Sequence, residues 1–164
     1  MRTNLSLFTA VALVGWGANA YAATSVTSQF LVKLTIVSQC LAATTTDLTF
    51  PNTGVLSSAV SGTTTLQVQC TNSTPYNVGL NQGANGSSVT TRQMKGSTTG
   101  ASISYALYTD SAHTSNRGNT IGTDTVAATG NGAAQTYTVY GQVPAQTTPA
   151  PDSYSDTITV TVTY

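Results

Sequence analysis

Asp110 and His113 form a short acid–histidine motif in a stretch rich in Ser and Asn, and His113 is the single histidine of the chain. An Asp–His pair takes part in acid–base or nucleophilic catalysis only when a nucleophile and a pocket lie beside it. No metal-binding, phosphate-binding or nucleophile-elbow motif accompanies this pair in the sequence. We therefore expect His113 to be solvated and the protein not to be an enzyme.

Cys40 and Cys70 are the two cysteines of the chain. In an exported protein an even pair of cysteines predicts one disulfide. Closing a loop of this length stabilises the fold by about 3–4 kcal/mol in the chain-entropy model. A zinc site is disfavoured because two cysteines and one histidine do not supply four ligands. We expect no metal and no other cofactor.

Export is predicted from the first 22 residues. Arg2 precedes a short apolar run at residues 7–14, and the Ala-Tyr-Ala sequence at residues 20–22 is a typical cleavage site. The apolar run is shorter than the roughly 20 residues that span a bilayer. We therefore expect residues 1–22 to be a signal peptide, and the mature chain to begin at or near Ala23 and to form one domain.

Charged residues make up only 6% of the chain, whereas typical soluble proteins contain about 25%. The formal net charge at pH 7 is zero, and glutamate is absent. This composition provides no basic patch for nucleic acid or anionic lipid. A low net charge favours association of a protein with its own copies. We expect no nucleic-acid partner and no small-molecule substrate.

Short alternating segments separated by turn signals predict an all-β protein after the signal peptide. The predicted strands cover residues 47–50, 65–70, 76–80, 92–94, 103–108 and 136–143. Residues 118–132 are Gly-rich and predicted to be irregular, and no helix is predicted. About seven short strands in one domain favour an antiparallel β-sandwich of immunoglobulin-like type. The tryptophan of antibody-type domains is absent, because the single Trp lies in the signal peptide.

Two further segments alternate more strictly than the rest. Residues 26–37 carry one apolar face, which is interrupted by Ser28 and consists of Val26, Phe30, Val32, Leu34 and Ile36. Residues 156–164 carry threonines on one face, and the other face consists of Ile158, Val160, Val162 and Tyr164. Each pattern predicts a strand with one buried face. On the residues alone, the pattern of the first segment favours the first strand of the chain's own sandwich, and Asp156 is compatible with the cap of a turn.

Several motifs, in this order and spacing, resemble the spore coat protein U family, which contains the major subunits of archaic chaperone–usher pili. Residues 152–164 look like the family's terminal strand, in which Tyr-x-Asp precedes alternating valines and a final aromatic residue. The other matching features are the opening strand that ends four residues before Cys40, Arg92 with Met94, the segment 105–108 followed by Asp110, and Tyr140-Gly141 before Pro144.

Two positions depart from the family pattern. Residues 116–118 read Asn-Arg-Gly where family members often carry an aromatic residue. The C-terminal aromatic residue, Tyr164, is the last residue, whereas classical pilins carry it second from last. This second departure favours the archaic branch of the family.

The resemblance implies an immunoglobulin-like antiparallel β-sandwich over residues 38–164 that lacks its last strand, preceded by a donor strand over residues 23–37. The donor strand would enter the groove of the next copy and pair there beside that copy's C-terminal strand. The implied donor side chains are Val26, Ser28, Phe30, Val32, Leu34 and Ile36, and the implied acceptor side chains are Ile158, Val160, Val162 and Tyr164. At the small Ser28 an incoming strand could begin to displace a chaperone.

The implied partners are head-to-tail copies of the chain or related pilus subunits, a periplasmic chaperone and an outer-membrane usher. The implied location is the periplasm in transit and then a cell-surface fibre that supports adhesion and biofilm formation. Two alternatives stay open at this stage. One is a non-fibrous secreted coat protein, and the other is a carbohydrate-binding adhesin in which Tyr76 or Tyr108 stacks on a sugar.

Overall fold

The computed structural model describes residues 22–164, except for the side chains of residues 42–45. The chain divides into two units, residues 1–35 and residues 36–164. The predicted signal peptide lies outside the described residues, apart from Ala22. Residues 22–39 contain no strand. The strand predicted over residues 26–37 has no ladder in this single chain and stays a prediction.

Nine β-strands and no helix occur in residues 22–164. The strands are β1 (Cys40–Thr45), β2 (Val60–Cys70), β3 (Pro75–Leu80), β4 (Arg92–Gly96), β5 (Ser102–Tyr108), β6 (Val126–Thr129), β7 (Ala134–Val143), β8 (Tyr154–Ser155) and β9 (Val160–Thr163).

The strands form two antiparallel sheets. Six of them lie in the order β1-β2-β7-β5-β4-β8 and three in the order β6-β3-β9. The apolar core lies between the sheets and includes Leu66 and Val68 of β2, Val78 and Leu80 of β3, and Leu107 of β5. The predicted all-β, immunoglobulin-like antiparallel sandwich is therefore confirmed.

The alternation of β2 determines which of its side chains enter the core. Leu66, Val68 and Cys70 are buried, whereas Gln67 and Gln69 between them are exposed. Successive side chains of a strand point to opposite faces, so this pattern places one apolar face inward. β2 pairs with β7 along nearly its whole length, from Val60 opposite Val143 to Gln69 opposite Ala134.

The predicted disulfide is confirmed. Cys40 and Cys70 are bonded, with a sequence separation of 30 residues. They are directly paired residues at the start of β1 and the end of β2. The disulfide thus fixes the edge strand β1 to the long strand β2.

Most of the predicted strands agree with the structure. Residues 76–80, 92–94, 103–108 and 136–143 lie in β3, β4, β5 and β7, and residues 65–70 form the second half of the longer β2. Residues 118–132 are not wholly irregular, because β6 lies within them. β6 was missed because four residues, two of them alanine, carry too little periodic signal.

Two other predicted strands differ more from the structure. Residues 47–50 form no strand, although Leu48 and Phe50 are half-buried and Asp47 and Thr49 exposed, as a strand would have them. The C-terminal strand is shorter than predicted, because only Val160–Thr163 enter a ladder. Their partner β3 ends at Leu80, and the chain then turns through Gly83, which has a φ of 84°. Alternation therefore identified the buried face correctly but not the length of the ladder.

Candidate functional site

A groove with a volume of about 1050 Å³ lies between the two sheets within residues 46–160. We call it the intersheet groove. Its apolar lining comes from both sheets and from the segments that join them: Leu48, Phe50, Leu56, Val60, Leu66, Leu80, Met94, Ile103, Tyr105, Leu107, Val139, Val143, Ile158 and Val160. A sandwich core normally packs without voids larger than a water molecule. A groove of this size therefore corresponds to missing core.

Strand β9 forms one side of the intersheet groove. Val160 is paired with Leu80, and Val162 with Val78, both on β3. The opposite edge of β9 has no ladder partner in the described part of the chain. An edge strand of this kind presents unpaired N–H and C=O groups that can accept a further strand.

The four residues predicted to form the acceptor strand lie in different surroundings. Ile158 and Val160 line the intersheet groove. Val162 is half-buried and packs against the core. Tyr164 is 59% exposed and follows the end of β9. Three of the four predicted side chains thus face the interior, and the terminal tyrosine does not.

The segment at residues 47–50 covers a pair of glycines in the six-stranded sheet. Gly62 and Gly141 are opposite each other in the β2–β7 ladder. A Cβ atom on Gly141 would lie 2.7 Å from Leu48 Cδ1 and 3.1 Å from Phe50 Cζ. The absence of side chains at this pair allows Leu48 and Phe50 to approach the sheet directly.

The carboxylate of Asp156 connects the chain before β9 to β5 and to the loop after β3. Tyr105 Oη donates a hydrogen bond to Asp156 Oδ2 at 2.7 Å. The backbone N–H groups of Ala84 and Asn85 donate to Asp156 Oδ1 at 2.9 Å and 3.2 Å. Burial raises the pKa of the Tyr105 hydroxyl, and the hydrogen bond to Asp156 raises it further. Tyr105 therefore remains a protonated donor at physiological pH.

The guanidinium of Arg92 is fully buried and connects β4 to the end of β3. Arg92 Nε donates to the Asn81 carbonyl at 2.9 Å, and Nη2 donates to the Leu80 carbonyl at 3.0 Å. Further bonds reach the carbonyls of Val89 and Arg117, each at 2.7 Å. Burial lowers the pKa of Arg92, and the negative charges of Asp124 and Asp156 act in the opposite direction. Carbonyl dipoles thus satisfy this cation in place of a direct carboxylate partner.

Comparison with known proteins decides the family. The model of the Spore Coat Protein U domain matches residues 26–161, which is most of the chain. The chain belongs to the spore coat protein U family. No curated protein matches it closely enough to add to this comparison.

Two solved structures resemble this spore coat protein U domain. One is the CsuC–CsuE chaperone–tip adhesion subunit pre-assembly complex from the archaic chaperone–usher Csu pili of Acinetobacter baumannii, with 25% identity and a TM-score of 0.57. The match covers 79% of this chain and 40% of that chain, so the domain corresponds to less than half of its solved relative. The other is a chaperone–tip adhesin complex of CFA/I fimbriae, with 17% identity, a TM-score of 0.38, and coverage of 77% of this chain and 41% of that chain. This second similarity is too low to carry an argument.

The predicted donor residues lie in the segment that precedes the domain. We call residues 23–37 the N-terminal segment. Phe30 is 89% exposed and Val26 is 97% exposed. Val32, Leu34 and Ile36 are exposed in the same way, and so is Ser28. The segment therefore presents an apolar row to solvent. Exposing such a row to water is unfavourable in free energy unless another surface covers it.

The Asp110–His113 motif does not form a catalytic pair. The Asp110 carboxylate accepts hydrogen bonds from the backbone N–H groups of Thr114 and Ser115, at 3.2 Å and 2.7 Å. His113 is half-buried rather than solvated, contrary to the prediction, and its ring makes edge contacts with the rings of Tyr108 and Tyr140. Its φ of 56° places the residue in a tight loop. Both residues of the motif shape this loop.

The structure also places the two tyrosines considered for sugar stacking. Tyr76 is 1% exposed, and its hydroxyl donates to Gln135 Oε1 at 2.9 Å. It belongs to the core and is not available to a ligand. Tyr108 is half-buried and packs against His113.

The described residues hold neither a metal-binding cluster nor a membrane-spanning helix. No group of three or more His, Cys, Asp or Glu side chains within residues 22–164 is placed to hold a metal ion. Over the same residues, no helix is both long and apolar enough to cross a membrane.

Sequence reasoning missed the contacts that organise the intersheet groove. It did not predict the Tyr105–Asp156 bond, the buried position of Arg92, or the seating of Leu48 on the glycine pair. One signal was present in the sequence. Arg92 lies in a predicted strand of a chain with only 6% charged residues. Because a buried charge needs polar partners, an arginine at such a position indicates a specific set of contacts.

Proposed function

We propose that this protein is a structural subunit of a cell-surface fibre of the chaperone–usher type. Each copy would place residues 26–36 of its N-terminal segment in the intersheet groove of the next copy, beside β9. The observation that carries the proposal is the presence of both halves of such a joint in one chain. The groove with its unpaired β9 edge is one half, and the exposed alternating apolar row is the other.

The energetics support a stable joint. Alternate side chains of a strand point the same way, so Val26, Phe30, Val32, Leu34 and Ile36 would enter the groove together. Burying each of them stabilises by about 1.5–3 kcal/mol, and backbone hydrogen bonds to the β9 edge add to this. A head-to-tail contact of this kind does not close on itself, and its repetition builds a fibre.

The proposed partners are those that the family implies, and the exposed edge and groove give a physical reason for them. An exposed β9 edge and an apolar groove are an aggregation hazard before assembly, so a periplasmic chaperone would cover them, and an outer-membrane usher would deliver the subunit to the fibre. The Csu structure similar to this domain is itself a complex of a chaperone with a tip subunit. The small Ser28 would mark the weakly filled position where strand exchange begins. Adhesion and biofilm formation would be the roles of the completed fibre.

The test is a comparison of two charge substitutions on opposite faces of the N-terminal segment. Phe30→Asp places a carboxylate in the row that would enter the groove. Leu31→Asp is the matched control, because it makes the same kind of change one residue away on the other face. We expect fibres from the Leu31→Asp chain and none from the Phe30→Asp chain, judged by negative-stain electron microscopy. Normal fibres from Phe30→Asp, or loss of fibres from both chains, would contradict the proposed pairing.

A further inference from the structure

The intersheet groove is apolar on both sides and yet remains wide. Leu107 and Met94 of the six-stranded sheet and Leu80 and Val160 of the three-stranded sheet all line it. Removing apolar surface from water is favourable by about 25 cal/mol per Å². This drives the two sheets of an unoccupied groove together. Contacts that fix the distance between the sheets must oppose that closure.

One such contact joins β5 to the chain that leads into β9. The ring of Tyr105 lines the groove, and its hydroxyl bonds to Asp156 Oδ2 at 2.7 Å. The other oxygen of Asp156 is held by the N–H groups of Ala84, Asn85 and Thr157 and by Asn85 Nδ2, at 2.9–3.2 Å. Three of these four donors belong to the loop after β3, so the carboxylate is tied to that loop as well as to Tyr105.

The backbone at Gly83 lies in close contact with the Asp156 carboxylate. Gly83 has a φ of 84°, and a Cβ atom there would clash with the Asp156 carboxylate. A side chain at this position would be strained in conformation and would also displace Asp156. The turn after β3 is thus shaped around Asp156.

A second contact joins β4 to β3 and, through Asn81, to the chain before β9. Arg92 binds the carbonyls of Leu80 and Asn81. Asn81 in turn accepts a hydrogen bond from the Thr159 N–H through its Oδ1 at 2.9 Å and donates from its own N–H to the Thr159 carbonyl at 3.1 Å. Arg92 joins the two sheets directly. Asp156 follows β8 of the six-stranded sheet and reaches the three-stranded sheet through the loop after β3.

We propose that Tyr105, Asp156 and Arg92 are positioning residues that hold the intersheet groove open before a strand enters it. Moving the sheets together would break hydrogen bonds made by the buried side chains of Tyr105 and Arg92, and an unpaired buried polar group costs more than the bond itself contributes. The groove is then preformed, and an incoming strand does not have to separate two collapsed apolar surfaces. This inference rests on the proposed function, since it assumes that a strand is the ligand.

The test uses the full chain after the predicted signal, residues 23–164, carrying Phe30→Asp so that it accepts a strand but does not donate one. A fluorescently labelled synthetic peptide of wild-type residues 23–37 is the probe. Its association and dissociation rates are measured by stopped-flow anisotropy. The test variant adds Tyr105→Phe, which keeps the ring and removes only the hydroxyl.

Tyr76→Phe is the matched control. It also removes a buried, hydrogen-bonded hydroxyl, but Tyr76 does not line the groove. We expect Tyr105→Phe to slow peptide association about tenfold while dissociation stays within about twofold, because the open form falls to a minor fraction of the population. Tyr76→Phe is expected to leave both rates within about twofold, although it weakens resistance to urea. Equal effects of the two variants, or no change in association, would overturn the inference.

Asn85→Ala keeps the test decisive if the Tyr105→Phe chain does not fold. Asn85 is exposed, and its side chain donates to Asp156 Oδ1 at 3.0 Å. Its removal loosens Asp156 without altering the core, and association is expected to slow about threefold. Unchanged association in this variant would overturn the inference. Failure of the peptide to bind even the Phe30→Asp chain would instead refute the proposed function.

Discussion

Gly62 and Gly141 are directly opposite each other in the β2–β7 ladder, and the side chain of Leu48 lies against both. The pair forms a notch in the inner face of the six-stranded sheet. Residues 47–50 have the alternating burial of a strand but no ladder partner among the described residues. The notch therefore holds them in place by side-chain packing alone.

The notch predicts that Gly141→Ala is destabilising. A methyl group there would meet Leu48 Cδ1 at 2.7 Å and Cδ2 at 3.0 Å, and inserting a methyl group into a filled space typically costs about 1–3 kcal/mol. Gly54→Ala is the control, because no atom lies within 4 Å of a Cβ at that exposed position. Equilibrium unfolding in urea measures both variants. Equal stability of the two would show that Leu48 is not seated on the glycine pair in solution.

Deleting residues 23–37 is expected to abolish polymerisation. The remaining chain keeps all nine strands and the disulfide, so it should still be recovered in complex with a chaperone. It would lack the row of side chains proposed to fill the next groove. Size-exclusion chromatography and electron microscopy report the assembly state. Fibres from the deleted chain would exclude the N-terminal segment as the donor.

Cys40→Ser is expected to lower the amount of protein recovered from the periplasm. Loss of the Cys40–Cys70 bond removes about 3–4 kcal/mol of stabilisation in the chain-entropy model, which is a large part of the 5–15 kcal/mol typical of a whole domain. Urea unfolding of the wild-type chain with and without reductant is the parallel measurement. The prediction would be wrong if yield were unchanged and reductant had no effect on the unfolding midpoint.

Trypsin is expected to distinguish free subunits from assembled ones at Lys33. Among the basic residues of the described chain, Arg92 and Arg117 are buried, whereas Lys33 and Lys95 are exposed. Lys95 lies in the β4 ladder, and Lys33 lies in the N-terminal segment. Assembly would place Lys33 in a ladder, so we expect its cleavage to slow at least tenfold in fibres, as measured by mass spectrometry. The Phe30→Asp chain is the unassembled reference, and equal cleavage rates in both would count against strand donation.

Acid is expected to weaken the turn between β4 and β5. The backbone N–H groups of Thr99 and Thr98, at 2.7 Å and 2.9 Å, hold the pKa of Asp152 well below its usual range. Because the folded pKa lies below the unfolded value of about 3.9, the ionised carboxylate stabilises the fold above that pH. This contribution is lost as the pH falls through the folded pKa.

The corresponding measurement compares Asp152→Asn with the wild-type chain from pH 7 to pH 2. The variant should be less stable at pH 7, and the difference in unfolding midpoint should shrink steadily below about pH 4. Asp47→Asn is the control, since the described structure shows no hydrogen bond to that exposed carboxylate. A difference that is constant with pH would assign the effect of Asp152→Asn to packing and not to charge.

The sequence alone determined the faces of the strands and the covalent link between two of them. Period-two alternation places Leu66 and Val68 inward whatever the partner strand is, and two cysteines in an exported chain allow one intramolecular disulfide. The apolar row of residues 26–36 follows from the same periodicity. These features depend on local order along the chain, and the sequence displays that order directly.

The tertiary structure alone decided how those faces surround a groove. Tyr105 and Asp156 are 51 positions apart, and their bond depends on how β5 and the β8–β9 connection are brought together in space. Arg92 is buried because the carbonyls of a turn and a loop converge on it, and residues 156–159 leave the ladder because β3 ends at Leu80. Periodicity carries no information about such distant partners. The sequence therefore identified the segment that we propose fills a groove, and the fold supplied the contacts that we propose keep the groove open.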